Sequence, residues 1–260
     1  MDVTIRARYD FRPDAIPISR GLSSAADGSR QVRNCQASGL TNSAMTLRLE
    51  TTIFPGSRIL ARIEQSAQGV APGKVCAAWR EQHLVEDVVQ SFNGSWIVGC
   101  RDQEQLIALK KYLATYHSRA YPIIEELPCN PLTIAEIVTV EGRHIRQTSS
   151  LGAFGVVQLR FEPSPHGRIL ALEYLDGDGI PEQVKHYADA ILQGLRSGAA
   201  EGARFGNPVV GFEVKLLSAR YHDVDSSAYS FTKATMLAFA EMLTRNRLIP
   251  LQADSGKTNI

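Results

Sequence analysis

Read from its N-terminus, the chain first alternates apolar and polar residues over Val3–Phe11, with Val3, Ile5, Ala7, Tyr9 and Phe11 on one side. That period of two predicts a half-buried strand. Ser19–Ser43 is then rich in Ser, Gly, Asn and Asp and poor in large apolar residues, which predicts a flexible connector. Met45–Phe54 reads as a strand ended by Pro55-Gly56, and Ile59, Leu60 and Ile63 recur at helical spacing. After a Gly- and Pro-containing break at Gln68–Lys74, Leu84–Phe92 and Trp96–Cys100 read as paired strands about Asn93-Gly94, a strong hairpin signal. Leu106, Leu109, Leu113 and Tyr116 form one face of a helix over Gln103–His117, and Pro122–Leu127 reads as a closing strand.

The order over residues 45–128 is therefore β-α-β-β-α-β, the ferredoxin-like plan. A second pattern runs over 129–252. Ile134–Thr139, Val156–Phe161 and Ile169–Tyr174 read as strands. Asp178-Gly179-Ile180-Pro181 opens a helix whose apolar face is Val184, Tyr187, Ala188, Ile191, Leu192 and Leu195, with Gly198 placed to end it. Pro208–Leu217 reads as another strand. A helix follows over Ser227–Asn246, with Phe231, Ala234, Ala238 and Met242 on one face and Met236, Leu237 and Phe239 off it, so it is expected to be buried nearly all round. The fold class expected is α+β in two units, preceded by a strand and connector (1–44) and followed by a disordered tail (253–260).

Composition narrows the function only slightly. With 28 Lys and Arg against 27 Asp and Glu, the net charge is +1, so any nucleic-acid contact must come from a local cluster. Cys35, Cys76, Cys100 and Cys129 are widely spaced with no C-x-x-C pair, which disfavours a zinc or redox site and suits a reducing compartment. Neither a secretory h-region nor a long apolar span is visible. The expectation is a cytoplasmic protein without a membrane segment.

Several catalytic patterns fail on inspection. Ser255-Gly256-Lys257-Thr258 has Leu251 where a phosphate-binding loop needs its first Gly, and too little chain follows to make the required helix. His222, Asp223, Asp225, Ser226 and Ser227 offer triad chemistry in one segment, but no G-x-S-x-G elbow occurs, and a helix cap accounts for Asp225, Ser226 or Ser227. His83, Glu86 and Asp87 imitate a metal site no better than a charged turn. Gly152-Ala153-Phe154-Gly155 has the spacing of a KH-type clamp, but a strand follows it where that clamp needs a helix.

Taken in order, the same residues carry a resemblance. Arg146-Gln147-Thr148-Ser149-Ser150-Leu151-Gly152-Ala153-Phe154-Gly155-Val156, running on to Glu162-Pro163, resembles the opening of domain IV of elongation factor G, [RK]-Q-S-G-G-R-G-Q-[FY]-G-H-V…E-P. Ile180-Pro181 with Gly194, and Asn207-Pro208-Val209-Val210, resemble two later motifs. Tyr221-His222-Asp223-Val224-Asp225-Ser226-Ser227 with Phe231 is similar to Y-H-x-V-D-S-S-x-x-A-F, with Ser230 replacing Ala. Three departures stand out: Leu151 and Val156 replace a loop Arg and His, and Ala219-Arg220 replaces the usual Gly-Ser. No GTPase domain accompanies the motifs.

The resemblance implies that residues 129–252 share the fold of the second domain of ribosomal protein S5, with a rare left-handed crossover, and that 45–128 corresponds to domain III. It further implies a tip built from loops Ser149–Val156 and Ala219–Ser227 that contacts the tRNA–mRNA region of the small ribosomal subunit. The implied contact residues are Ser149, Ser150, Gly152, Arg220, Tyr221, His222 and Asp223. The function expected is noncatalytic binding of ribosome or structured RNA, with no cofactor and no metal. Two alternatives stand beside it. One is a protein-interaction module docking on a separate GTPase chain. The other is a small-molecule kinase on the S5-like fold, which would need a phosphate loop and a base that the sequence does not display.

Overall fold

A computed structural model describes residues 3–5, 46–54, 56–64, 78–91, 95–116, 123–127, 129–146, 152–164, 169–175, 180–202 and 207–251. The connector Ser19–Ser43, the turn Asn93-Gly94, the break Gln68–Lys74, the opening Asp178-Gly179, loop residues Ser149 and Ser150, Cys35, Cys76 and the tail 253–260 lie outside the described residues.

The strands are β1 (Val3–Ile5), β2 (Thr46–Thr52), β3 (Ile59–Glu64), β4 (Asp87–Gln90), β5 (Trp96–Cys100), β6 (Ile123–Leu127), β7 (Leu132–Ile134), β8 (Val138–Arg146), β9 (Ala153–Pro163), β10 (Ile169–Leu175), β11 (Phe212–Arg220) and β12 (Leu248–Pro250). The helices are α1 (helical residues 78–81), α2 (Gln103–Tyr116), α3 (Glu182–Lys185), α4 (Ala188–Glu201) and α5 (Ala228–Arg245). Among the described residues the chain is thus mixed α+β with three sheets, most of whose strand pairs are antiparallel.

The smaller of the two main sheets runs β4-β5-β3-β6, every neighbour antiparallel, with α1 between β3 and β4 and α2 between β5 and β6. The β-α-β-β-α-β order read from the sequence is present, but its first strand is displaced. Ile59, Leu60 and Ile63, expected to be helical, lie on β3. The strand expected to open the unit, Met45–Phe54, forms β2 in the larger sheet, antiparallel to β10.

The misreading has a physical cause. β3 is a central strand covered on both faces: Ala61 and Ile63 join a core with Trp79, Trp96, Leu106, Leu109 and Leu113, while Leu60 joins a second core. A strand buried on both sides loses the polar alternation that identifies it, and its apolar spacing imitates a helix.

That second core crosses between the units. Leu60, Val89, Ile97 and Leu127 from the small sheet join Ile191, Leu195 and Ala199 of α4 and the interior of the larger sheet. A buried polar knot marks the same junction. Asp87 Oδ1 accepts from Arg80 Nη2 at 2.9 Å and from its neighbour Val88 N–H at 2.9 Å, and Oδ2 accepts from Phe54 N–H at 3.1 Å. Arg196 of α4 reaches across to both carboxylate oxygens at 2.9 Å and donates through Nη1 to Thr51 Oγ1 at 2.7 Å. Asp87, taken from the sequence as part of a charged turn, is instead enclosed by two guanidinium groups.

The larger sheet runs β1-β2-β10-β11-β9-β8, with α4 and α5 packed together beneath it. β10 and β11 are parallel neighbours joined through α3 and α4. The single strand expected at Ile134–Thr139 is broken into β7, which pairs with β12, and β8, which pairs with β9. Asn246 holds the break open, its Oδ1 accepting from Ala135 N–H at 3.1 Å.

Gly198 does not end α4. It lies inside the helix, where a Cβ would stand 2.4 Å from the Phe239 ring, so its lack of a side chain allows α4 and α5 to approach. The helix ends at Gly202, whose φ of +58° suits glycine. In α5, Phe231, Ala234, Ala238, Met242, Met236 and Phe239 are buried as expected, whereas Leu237 is exposed.

Candidate nucleic-acid interface

The two loops singled out by motif meet at one end of the larger sheet, where β9 and α5 begin and β11 ends. The register of β11 against β9 shifts between Leu216 and Ser218, and after the bulge Arg220 pairs with Val156. Phe154 then forms a parallel bridge with Ser226, so the loop after β11 is laid along the start of β9.

Four residues of the Tyr221–Ser227 motif build this end rather than display it. Phe154 N–H donates to Asp225 O at 2.8 Å, and Ser226 Oγ donates to Phe154 O at 2.9 Å. Ser226 Oγ also accepts from His222 N–H at 2.9 Å, while Ser226 N–H donates to His222 O at 3.0 Å. Ser227 is the N-cap of α5, accepting from Ser230 N–H at 3.2 Å, which answers the capping expectation in its favour over Asp225 and Ser226. Gly152 is held against Asp225 so closely that a Cβ there would lie 2.1 Å from Oδ1.

His222 is set by this frame. Its Nδ1 lies 3.3 Å from Asp225 N–H and 3.3 Å from Asp225 Oδ2. A neutral ring with its proton on Nε2 accepts from the amide, one with its proton on Nδ1 donates to the carboxylate, and a protonated ring donates to the carboxylate while also carrying Nε2–H. The Nε2 edge of the half-exposed ring is therefore a donor in the first and last of these states and an acceptor in the second. The ring also packs 6.0 Å from Phe154, centroid to centroid.

Beneath it, Tyr187 stacks on Phe231 at 4.8 Å and lies 6.2 Å from Tyr221. Burial first, and then Tyr221, pushes the Tyr187 hydroxyl above its ordinary value, so it stays protonated as a spacer under the loop. Tyr221 is half-buried in this stack, while Arg220, His222 and Asp223 are exposed. The structure therefore brings Gly152, Arg220, Tyr221, His222 and Asp223 to one end. Arg220 is not free, because its Nη2 lies 3.4 Å from Glu141 Oε2.

Sequence reading missed a flank beside these loops. His144 on β8 meets Tyr229 of α5 edge-on at 5.7 Å, and Lys233 Nζ lies 5.7 Å from the centre of the same ring. Burial, Arg146 and Lys233 together hold the His144 imidazole below its ordinary value. The signal was the basic and aromatic content of 143–146 and 229–233, which becomes one cluster only when α5 packs on β8.

Cys100 is buried in the small unit, its thiol pushed up to about 11 by burial and then by Asp102 and Glu86, so it is held protonated at neutral pH. Among the described residues no helix is long and apolar enough to cross a membrane.

Comparison with known proteins agrees with the motifs. Residues 131–246 match the family model described as elongation factor G, domain IV. The elongation factor G of Fervidobacterium nodosum is 37% identical over 123 residues, 46% of this chain and 17% of that protein. Those of Petrotoga mobilis and Thermotoga neapolitana are 34% and 36% identical over 43% and 46% of this chain. The chain thus spans only about a sixth of the length of these relatives. The resemblance read from the motifs is upheld, and residues 131–246 carry the pattern of elongation factor G domain IV.

Proposed function

We propose that this chain binds the ribosome, or structured RNA like it, through the end of the domain IV-like unit, without catalysing a reaction there. The observation that carries the reading is His222. A loop closed by Ser226 and Asp225 holds its half-exposed ring through Nδ1 and leaves Nε2 for a ligand, a donor to phosphate when it carries the proton and a partner of either sense for a 2′-hydroxyl. Gly152, Arg220, Tyr221 and Asp223 surround it, and Ser149 and Ser150 complete the set by their place in the sequence between β8 and β9. The unit over 59–127, with its four antiparallel strands and two helices, is the ferredoxin-like, domain III-like support of this arm. In that reading the ligand is the small subunit near its tRNA–mRNA region.

The competing reading, docking on a separate GTPase chain, needs a contiguous apolar face on the first unit. Its exposed large apolar residues on α2, Ile107 and Tyr116, are nine positions apart and so point to opposite sides of the helix. Co-sedimentation of the chain with isolated small subunits across a salt series tests the proposal. Binding that weakens with salt and falls further in an Arg220→Ala, His222→Ala variant is expected. Absence of binding at low salt would refute it.

A further inference from the structure

The loops that the motifs pick out are poor in free positive charge. Arg220 is the one cation in 219–227, and its guanidinium faces Glu141, while Asp223 and Asp225 add two carboxylates. An RNA backbone meeting these loops alone would find little to balance its phosphates. The balancing charge lies beside them, on the flank made by the end of β8 and the first turns of α5.

His144 and Arg146 are two apart on β8 and therefore point to the same side of the strand, the side on which α5 packs. Tyr229 and Lys233 are four apart on α5 and lie one above the other. Tyr229 is 53% exposed, with His144 in a T-shaped contact and Lys233 over its ring. Neither Arg146 nor Lys233 has an ion pair or hydrogen bond among the described residues. His144 Nε2 is shielded and likewise without a hydrogen-bond partner among them. The charges that bear on His144 are both cationic, and the connecting residues 147–151, Gln-Thr-Ser-Ser-Leu, include no acid. One cation over an exposed aromatic ring and a second bearing on the histidine beside that ring, with no carboxylate paired to either among the described residues, suit a phosphate backbone with a base stacked on the ring.

We propose that this β8–α5 flank, through Arg146, Lys233 and Tyr229, is the phosphate- and base-contacting side of the interface, and that it holds a single-stranded or looped RNA segment next to the part touched by His222. The inference rests on the RNA-binding reading above. It divides the labour, with the flank supplying affinity and the loops supplying local fit.

The test is fluorescence anisotropy of a labelled RNA hairpin carrying a single-stranded loop, titrated with the full chain at several salt concentrations. Arg146→Gln/Lys233→Gln is expected to weaken binding on the order of tenfold and to reduce the slope of log Kd against log salt by about 1.4, two contacts at about 0.7 each. Arg146→Lys/Lys233→Arg is expected to restore both, which separates charge from folding. Tyr229→Ala is expected to weaken the hairpin but not inorganic polyphosphate, distinguishing a stacked base from phosphate alone. If the wild-type chain binds, and the double Gln variant matches it while Arg220→Ala/His222→Ala abolishes binding, the flank is refuted and the loops stand. If the wild-type chain does not bind the hairpin or small subunits, both readings fall.

Discussion

Arg196 of α4 places one guanidinium nitrogen 2.9 Å from each carboxylate oxygen of Asp87, across the junction of the two units. The pair is nearly enclosed, with side-chain exposures of 14% and 8%, and Arg80 adds a second cation from the first unit. A buried carboxylate between two guanidinium groups is costly to leave half-made, because the surviving charges stay desolvated.

Asp87→Ala is therefore expected to destabilise the chain by about 3–5 kcal/mol, the usual cost of breaking a buried pair. Chemical denaturation followed by fluorescence of Trp79 and Trp96, both in the first unit's core, measures it. Arg196→Met should cost less, because Arg80 remains to face the carboxylate while the apolar stem is kept.

Gly152 and Asp225 form a second pair that can be separated by mutation. A Cβ at position 152 would overlap the Asp225 carboxylate, so Gly152→Ala is expected to cost about 1–3 kcal/mol, as overpacking does. In Gly152→Ala/Asp225→Ala the clash is gone, and the double variant should be more stable than the sum of the single changes predicts. Additive losses would show that the two residues are not in contact.

Ser226 joins the loop to β9 with one hydroxyl that both donates and accepts. Ser226→Ala removes two hydrogen bonds and is expected to cost about 1–3 kcal/mol, at roughly 0.5–1.5 kcal/mol each. The larger effect should be local. Amide exchange at His222 and Phe154 should accelerate while that of α4 is unchanged, and RNA affinity should fall with the loss of order around His222.

His144 predicts a pH dependence. Its folded-state value is lowered from 6.5, by burial first and by Arg146 and Lys233 next, so the unfolded chain binds a proton more readily than the folded one. Stability contributed by the neutral ring is present above pH 6.5 and declines as pH falls below it. His144→Gln should flatten that decline below pH 6.5. An unchanged slope in the variant would place the titration elsewhere.

The large unit was easier to read than the small one, for reasons visible in particular residues. α5 carries a long helical repeat, a Ser cap and a compact motif, and each signal is local. β3 failed because both its faces are buried, against the α1–α2 layer on one side and the core shared with α4 on the other. Strand β2 failed because nothing in Thr46–Thr52 states that its partner is β10, more than a hundred residues away. At the site, the motif named His222 and the residues that frame it. The flank of His144, Arg146, Tyr229 and Lys233 has no motif, since its members are neighbours only through the packing of α5 on β8.

The most direct test of the account is photocrosslinking from position 224, whose native valine is 84% exposed at the centre of the second loop. A benzophenone amino acid at 224 is incubated with small subunits and irradiated, beside the same probe at position 107, which is exposed on α2 of the other unit. The account predicts crosslinks to ribosomal RNA from 224 and none from 107. Crosslinks from 107 alone, or from neither position under conditions where the chain sediments with the subunit, would contradict it.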